Sequence, residues 1–185
     1  MSEPRSEVRV RVAGVDDAAA VARIQVESWR ERYDGLLPIE LIDAMDVDDF
    51  TERWRASLHR PGDARNRVLV ALDGDAVRGF AVTGPATDPD ADPIADGEIT
   101  ELTVEADHRR QGHGSRLLQA AAETLRSDRF TRGIVWVASA DDTARRFVTE
   151  AGWAPDGAHR ELDLRGDGAI RLKQVRLHTD LGDLG

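Results

Sequence analysis

Between Gly97 and Ala121 the stretch GEITELTVEADHRRQGHGSRLLQAA changes from a strand pattern to a helix pattern. The passage is a turn of Arg109, Arg110, Gln111, Gly112, His113, Gly114 and Ser115. The helix that follows places Leu117, Leu118, Ala121, Ala122 and Leu125 on one apolar face. At such a junction the first helical amides lack a carbonyl partner, and the helix dipole adds partial positive charge. The two glycines remove side chains that would keep a ligand from the backbone, and two arginines add full charges. The result is an anion site suited to phosphate, although glycines at a strand–helix junction can also be simple turn residues. Two familiar phosphate loops do not fit. The dinucleotide fingerprint requires a third glycine where Leu117 stands, and the nucleotide-hydrolase loop requires Gly-Lys-Ser/Thr.

The rest of the chain supplies the sheet and its helices. Val8, Val10 and Val12 alternate with charged residues as in a half-buried strand. Asp16 or Asp17 can cap a helix whose face is Ala18, Val21, Ala22, Gln25 and Trp29, with Gln25 the polar exception. Gly35 and Pro38 end it. A second helical stretch runs from Ile39 to Leu58, interrupted near Asp46–Asp49. Arg67–Asp73 and Ala76–Thr83 form a hairpin across Gly74 and Asp75, and the proline–aspartate stretch from Pro85 to Asp96 is a loop. Glu98–Val104, Ile134–Ala138, His159–Arg165 and Ile170–Thr179 read as strands, with a further helix from Asp141 or Asp142 to Gly152. Helices interleaved with strands predict an α/β fold: a mixed central sheet of about seven strands with helices on both faces.

At 185 residues the length predicts one domain over residues 7–180, with a flexible N-terminus at 1–6 and a tail at 181–185. There is no cysteine, which excludes disulfides, thiolate metal sites and a cysteine nucleophile. The five histidines show no i, i+4 pair, so no metal is expected. Apolar runs are far too short for a membrane span, and the N-terminus lacks an apolar leader, so the sequence predicts a cytoplasmic protein. With 35 acidic and 25 basic residues the net charge is −10, which argues against a nucleic-acid partner. A homodimer stays open.

Arg109-x-x-Gly112-x-Gly114 after a strand resembles the pyrophosphate motif of the GNAT superfamily of acetyl-CoA-dependent N-acetyltransferases. The resemblance spans nearly the whole chain. SWRERYDGLLP (Ser28–Pro38) is similar to the family's first helix and loop, DDTARRFVTEAGW (Asp141–Trp153) to its later helix, and RLKQVRLHTDL to its closing strand. The resemblance implies a single GNAT-like sheet splayed in its middle. It implies acetyl-CoA as co-substrate and direct transfer to a primary amine of a small molecule or peptide through a tetrahedral intermediate. Position by position, Gln111, Gly112, His113, Gly114 and Ser115, helped by Arg109 and Arg110, would hold the CoA pyrophosphate. Main-chain groups of Leu102, Thr103 and Val104 would meet the pantetheine, and Asp141, Ala144 and Phe147 would line its other side. Asp141 stands where the family usually has asparagine.

The same resemblance implies a catalytic glutamate at Glu98, eleven residues before Arg109. A carboxylate in a partly desolvated cleft can take a proton from the attacking amine. Strand alternation puts Glu98 on the face of Thr100 and Glu101 on the other, so Glu101 is the reserve base. The Leu102 amide would polarise the thioester carbonyl. The family's acid is a tyrosine, and Val148 occupies that position here. Ser139 is a substitute donor, and a chain without a dedicated acid is the alternative. Trp29 and Tyr33, four apart, share a helix face and either line the acceptor pocket or belong to the core. Two other functions stay open: a non-catalytic acyl-CoA sensing module, and a GNAT-fold acyltransferase taking its acyl group from an aminoacyl carrier or tRNA.

Overall fold

The computed structural model describes residues 8–182. The N-terminal segment 1–6 and residues 183–185 of the tail lie outside that range. Seven strands and five α-helices follow in the order β1 (Arg9–Val12), α1 (Ala18–Tyr33), α2 (Ile39–Asp43), α3 (Val47–His59), β2 (Arg67–Asp73), β3 (Ala76–Pro85), β4 (Asp96–Val104), α4 (His113–Ser127), β5 (Arg132–Ala138), α5 (Asp142–Glu150), β6 (Ala154–Asp163) and β7 (Arg171–Asp180). The strands form one mixed sheet in the order β1-β2-β3-β4-β5-β7-β6. This is the seven-stranded α/β architecture the pattern predicts.

The chain divides into two compact units, with β4 and α4 contributing to both. The first holds the residues up to Thr83 together with Glu101–Ala121. Its core is Val21 and Ile24 of α1 against Val70, Leu72, Val77 and Phe80 of β2 and β3, with Trp54 of α3 packed on it. Phe80 is fully buried, and a side chain of that size contributes up to about 3 kcal/mol on leaving water. The β2–β3 hairpin turns at Gly74, which adopts φ +59°, and closes on the pair Asp73–Ala76. A bulge between Ala71 and Leu72 shifts the register, pairing Ala71 with Gly79 and Leu72 with Val77. Gly79 faces β4 so closely that an added Cβ would lie 2.7 Å from the Thr103 carbonyl oxygen.

Two local expectations change, and a third gains its physical cause. β1 is not half-buried along its length: it is the edge strand, and Val12 is 58% exposed. The stretch from Ile39 is interrupted as expected, and it forms two helices because Asp46 leaves the helical conformation and caps α3, accepting from the amides of Asp48 (2.7 Å) and Asp49 (3.4 Å). Asp17 does not cap α1 by its side chain. Its carboxylate accepts from the Gly14 amide (2.7 Å) and pairs with Arg11, which holds it below the usual carboxylate range.

The second unit holds Gly84–Thr100 and the chain from Ala122 onward. Here β4 and β5 pair in parallel over four positions, from Asp96–Arg132 to Ile99–Val135. The ladder stops there, while β5 continues to Ala138 along antiparallel β7. β6 starts at Ala154, earlier than its pattern suggests, because an irregularity between Pro155 and His159 interrupts the alternation. Gly97 and Gly133 permit close packing: an added Cβ would lie 2.6 Å from Leu125 and 2.7 Å from Phe130 at the first, and 3.0 Å from Trp153 at the second. No helix among the described residues is long and apolar enough to cross a membrane.

Candidate active site

The strand–turn–helix junction forms where the sequence places it. After β4 the chain makes a short 3-10 turn at Ala106–His108 and reaches α4 through two left-handed residues, Arg110 (φ +62°) and Gly112 (φ +94°). A left-handed residue other than glycine costs roughly 1 kcal/mol, so Arg110 marks local strain. The first helical bond runs from the Arg116 amide to the Gly112 carbonyl (3.1 Å), leaving the amides of His113 to Ser115 in the turn that has no intrahelical acceptor. A Cβ placed on Gly112 would meet no atom within 4 Å, so the space over this backbone is open. His113 is 2% exposed, and burial pulls its pKa below the usual histidine value. An open, glycine-walled helix start of this kind fits a phosphate group.

Arg109 is engaged by α1. Its guanidinium makes a bidentate pair with Glu31 of α1, at 2.8 and 2.5 Å, and its Nε donates to the Val104 carbonyl at 3.4 Å. The pair borders a cleft of about 280 Å³ lined also by Ile24, Ser28 and Ala106. Glu105, beside it, is shared by Arg23, Arg78 and His108. Burial would raise Glu105, but the two arginines bring it below the ordinary value.

The two candidate bases sit in different surroundings. Glu101 is held by neutral donors: Gln25 Nε2 donates to Oε2 at 2.8 Å, and Trp29 Nε1 donates to Oε1 at 3.1 Å. Thr103 Oγ1 adds a long contact at 3.5 Å. Trp54 Nε1 donates to Gln25 Oε1 (2.8 Å), which fixes the amide so that its NH2 faces the carboxylate. Burial raises the Glu101 pKa, with the Gln25 and Trp29 hydrogen bonds opposing. The polar residue on the apolar face of α1 thus has its explanation. Trp29 also meets Tyr33 and Phe50 edge to face, at centroid distances of 6.1 and 5.5 Å.

Glu98 belongs to the second unit and is 4% exposed. Its Oε2 has no hydrogen-bond partner among the described residues, while the Thr87 amide donates to the carboxylate. Burial raises its pKa, and the negative charge of Asp88 adds to the effect against Arg160 and Arg176. Asp88 lies on the proline–aspartate loop, and that loop is fastened. Asp88 accepts from Trp136 Nε1 (2.8 Å) and pairs with Arg160 (3.1 Å), whose guanidinium stacks 4.2 Å over the Trp136 ring. Arg176, 6% exposed, grips Asp90 through two 3.0 Å bonds and Asp156 at 2.7 Å.

The remaining candidates also lie in the second unit. Ser139 is half-buried just past β5, its amide donating to the Lys173 carbonyl (2.9 Å). Asp141 spends its carboxylate on the cap of α5, accepting from the Ala144 amide (2.9 Å). Ala144 and Phe147 are half-buried, and Val148 is 5% exposed. Sequence reasoning missed Glu31 and Glu105, whose arginine partners lie far along the chain. The polar interruption at Gln25 was the one signal of the Glu101 network. Among the described residues no group of three or more His, Asp or Glu side chains is arranged to hold a metal.

Comparisons with known proteins converge. Residues 21–153 match the model of the acetyltransferase (GNAT) family. The N-acetyltransferase YuaI of Bacillus subtilis is 28% identical over 172 residues, covering 92% of this chain and 91% of that one. The mycothiol acetyltransferase of Corynebacterium glutamicum is 36% identical over 91 residues, 49% of this chain and 27% of its own. Among solved structures, the PaiA N-acetyltransferase of Thermoplasma acidophilum in complex with coenzyme A superposes with a TM-score of 0.69 at 14% identity, covering 94% and 99% of the two chains. The ribosomal-protein-alanine N-acetyltransferase of Brucella melitensis gives 0.69 at 20% identity, covering 93% and 99%.

Proposed function

The chain belongs to the GNAT acetyltransferase family, and on that premise we propose that it transfers the acetyl group of acetyl-CoA to a primary amine, with Glu98 as general base. The observation that carries the assignment is the open helix start at Gly112, where backbone amides and positive φ angles make an anion cradle. The main chain of Gln111–Ser115 is assigned to the coenzyme's diphosphate, with Arg110 as the nearby cation, and the end of β4 at Leu102–Val104 to its pantetheine. Ala144 and Phe147 of α5 are carried over as further coenzyme contacts, whereas Asp141 serves its own helix. Acetyl-CoA supplies an activated thioester, and the neutral amine attacks its carbonyl carbon directly.

Glu98 is preferred over Glu101 because of what their oxygens do. Glu101 has a hydrogen bond at each oxygen, while Glu98 keeps one oxygen unpartnered in a buried setting that raises its proton affinity. A base must be able to accept, and an alkyl ammonium with a pKa of about 10.4 must lose a proton before it attacks. That proton goes to Glu98, directly or through a water. The Leu102 amide is assigned as donor to the carbonyl oxygen as negative charge develops there. Val148 offers no acid, and the leaving thiolate needs little help, since an ordinary thiol has a pKa of about 8.5.

A panel of amines incubated with acetyl-CoA, read by release of free thiol and by mass of the product, tests the proposal. Acetylated amine is the expected product. Coenzyme binding without transfer to any amine would replace the enzyme reading with the sensing one.

A further inference from the structure

The first unit holds a carboxylate, Glu101, that has no directly bonded cation among the described residues. Glu101 makes its hydrogen bonds to an amide, an indole and a hydroxyl, all neutral, and no arginine, lysine or histidine among the described residues comes within ion-pair distance of it. The Arg32 charge reaches it only at longer range. Three other sheltered acids, Asp17, Glu105 and Asp156, each hold an arginine, whereas Glu101 shares with the buried Glu98 the lack of a directly bonded cation. A carboxylate removed from water without a cation is costly unless a ligand brings one.

The surroundings are those of a cation site. A carboxylate oxygen can accept two hydrogen bonds, and Oε2 accepts only the one from Gln25. Trp29, whose indole nitrogen is bonded to Glu101, sets its ring edge to face with Tyr33 and Phe50. All three rings are half-buried, and because the Arg53 guanidinium already lies 5.5 Å over Phe50, the rings left to a ligand are those of Trp29 and Tyr33. Aromatic faces beside a carboxylate attract an ammonium or guanidinium through the ring quadrupole and the full charge together. The Trp54–Gln25 bond holds the carboxylate in place beforehand, which lowers the ordering cost of binding.

We propose that Glu101, Trp29 and Tyr33, with Phe50 packed behind Trp29, form a recognition site for a second cationic group on the acceptor, so that the preferred acceptors are diamines or amines carrying a distant ammonium or guanidinium. The inference rests on the reading that the acceptor is an amine. It gives Glu101 a part in acceptor recognition and none in the proton transfer. No covalent step is added.

The test compares 1,5-diaminopentane with 5-amino-1-pentanol, equal in length but neutral at the far end, by calorimetric titration of the full chain with CoA present. The wild type is expected to bind the diamine at least tenfold more tightly. Glu101→Gln, which keeps the shape and an acceptor for Gln25 or Trp29, is expected to bring the ratio close to one with CoA affinity unchanged. Trp29→Leu is the second variant and is expected to lower the ratio severalfold if Glu101→Gln does not fold. Equal binding of the two amines by the wild type, or an unchanged ratio in the folded variants, overturns the proposal. Turnover of both amines is followed in parallel. Acetylation without preference sinks the recognition site alone, whereas preferential binding without any acetylated product sinks the acetyl-transfer reading and leaves the recognition site standing.

Discussion

Arg109 and Glu31, 78 residues apart, meet in a bidentate pair at 2.8 and 2.5 Å. Both side chains are half exposed, so the pair itself is worth at most about 1 kcal/mol. The Glu31 carboxylate therefore competes with any phosphate for this guanidinium. Glu31→Gln is expected to tighten CoA binding by about two- to fivefold, an effect that shrinks in high salt. Titration calorimetry at low and high ionic strength checks it; weaker binding in the variant would show that the pair helps to shape the cradle.

Glu98→Gln removes the proposed base and keeps its volume. The expected result is a fall in kcat of about 100-fold near neutral pH with acetyl-CoA affinity nearly unchanged. Because the Glu98 pKa is raised, the ascending limb of the wild-type rate–pH profile should lie above the 4.5 of an ordinary glutamate, and that limb should vanish in the variant. Equal turnover in the variant removes Glu98 from the mechanism.

Gly112→Val places a branched side chain at φ +94° and fills the open space over the helix start. Loss of CoA binding and destabilisation of roughly 1–3 kcal/mol are expected. Retained coenzyme affinity in the folded variant, measured by calorimetry, would move the phosphate site elsewhere.

The fold at this junction was legible because its signal is local: strand, arginines, glycines and amphipathic helix follow one another within 25 residues of sequence, Gly97–Ala121. The hairpin at Gly74 was readable for the same reason. Pairings between distant residues were not. Nothing near Arg109 in the chain announces Glu31, and nothing in the loop after Pro85 announces Arg176, because ion pairs leave no periodic trace. Gln25 lay between these cases. Its place on an apolar face marked it as needing a partner, but only the structure supplies Glu101 and Trp54. The interruption between α2 and α3 was legible near Asp46, but that this aspartate, and not a neighbour, caps α3 is supplied by the structure.

Glu101 predicts a pH effect on stability with a definite sign. Its folded pKa is raised, so between its unfolded and folded values the native state binds the proton more than the unfolded state does. Its contribution is fully present below the unfolded value and is lost as pH rises through the folded one. Glu101→Gln cannot lose that contribution, so its melting temperature relative to wild type should be higher at pH 8 than at pH 4. A difference that is flat with pH would show that the Gln25 and Trp29 bonds fully offset burial.

Gly79→Ala would press a methyl group to 2.7 Å from the Thr103 carbonyl oxygen, a backbone atom with little room to retreat. Destabilisation of about 1–3 kcal/mol is expected, read as a lower urea midpoint. A wild-type midpoint would mean that the bulge at Ala71–Leu72 can absorb the strain.

The aspartates clasped by Arg176 have a further effect on the loop after Pro85. A stretch so rich in proline and aspartate would ordinarily sample many shapes, yet Asp90 here is held against β7, and Asp156 of β6 shares the same guanidinium. Arg176 and its companions hold the carboxyls of Asp90 and Asp156 below their usual range, so they keep their charge well into acid. Once they do take up protons the tether slackens, and this segment should become an early target for pepsin while the hairpins around it stay intact.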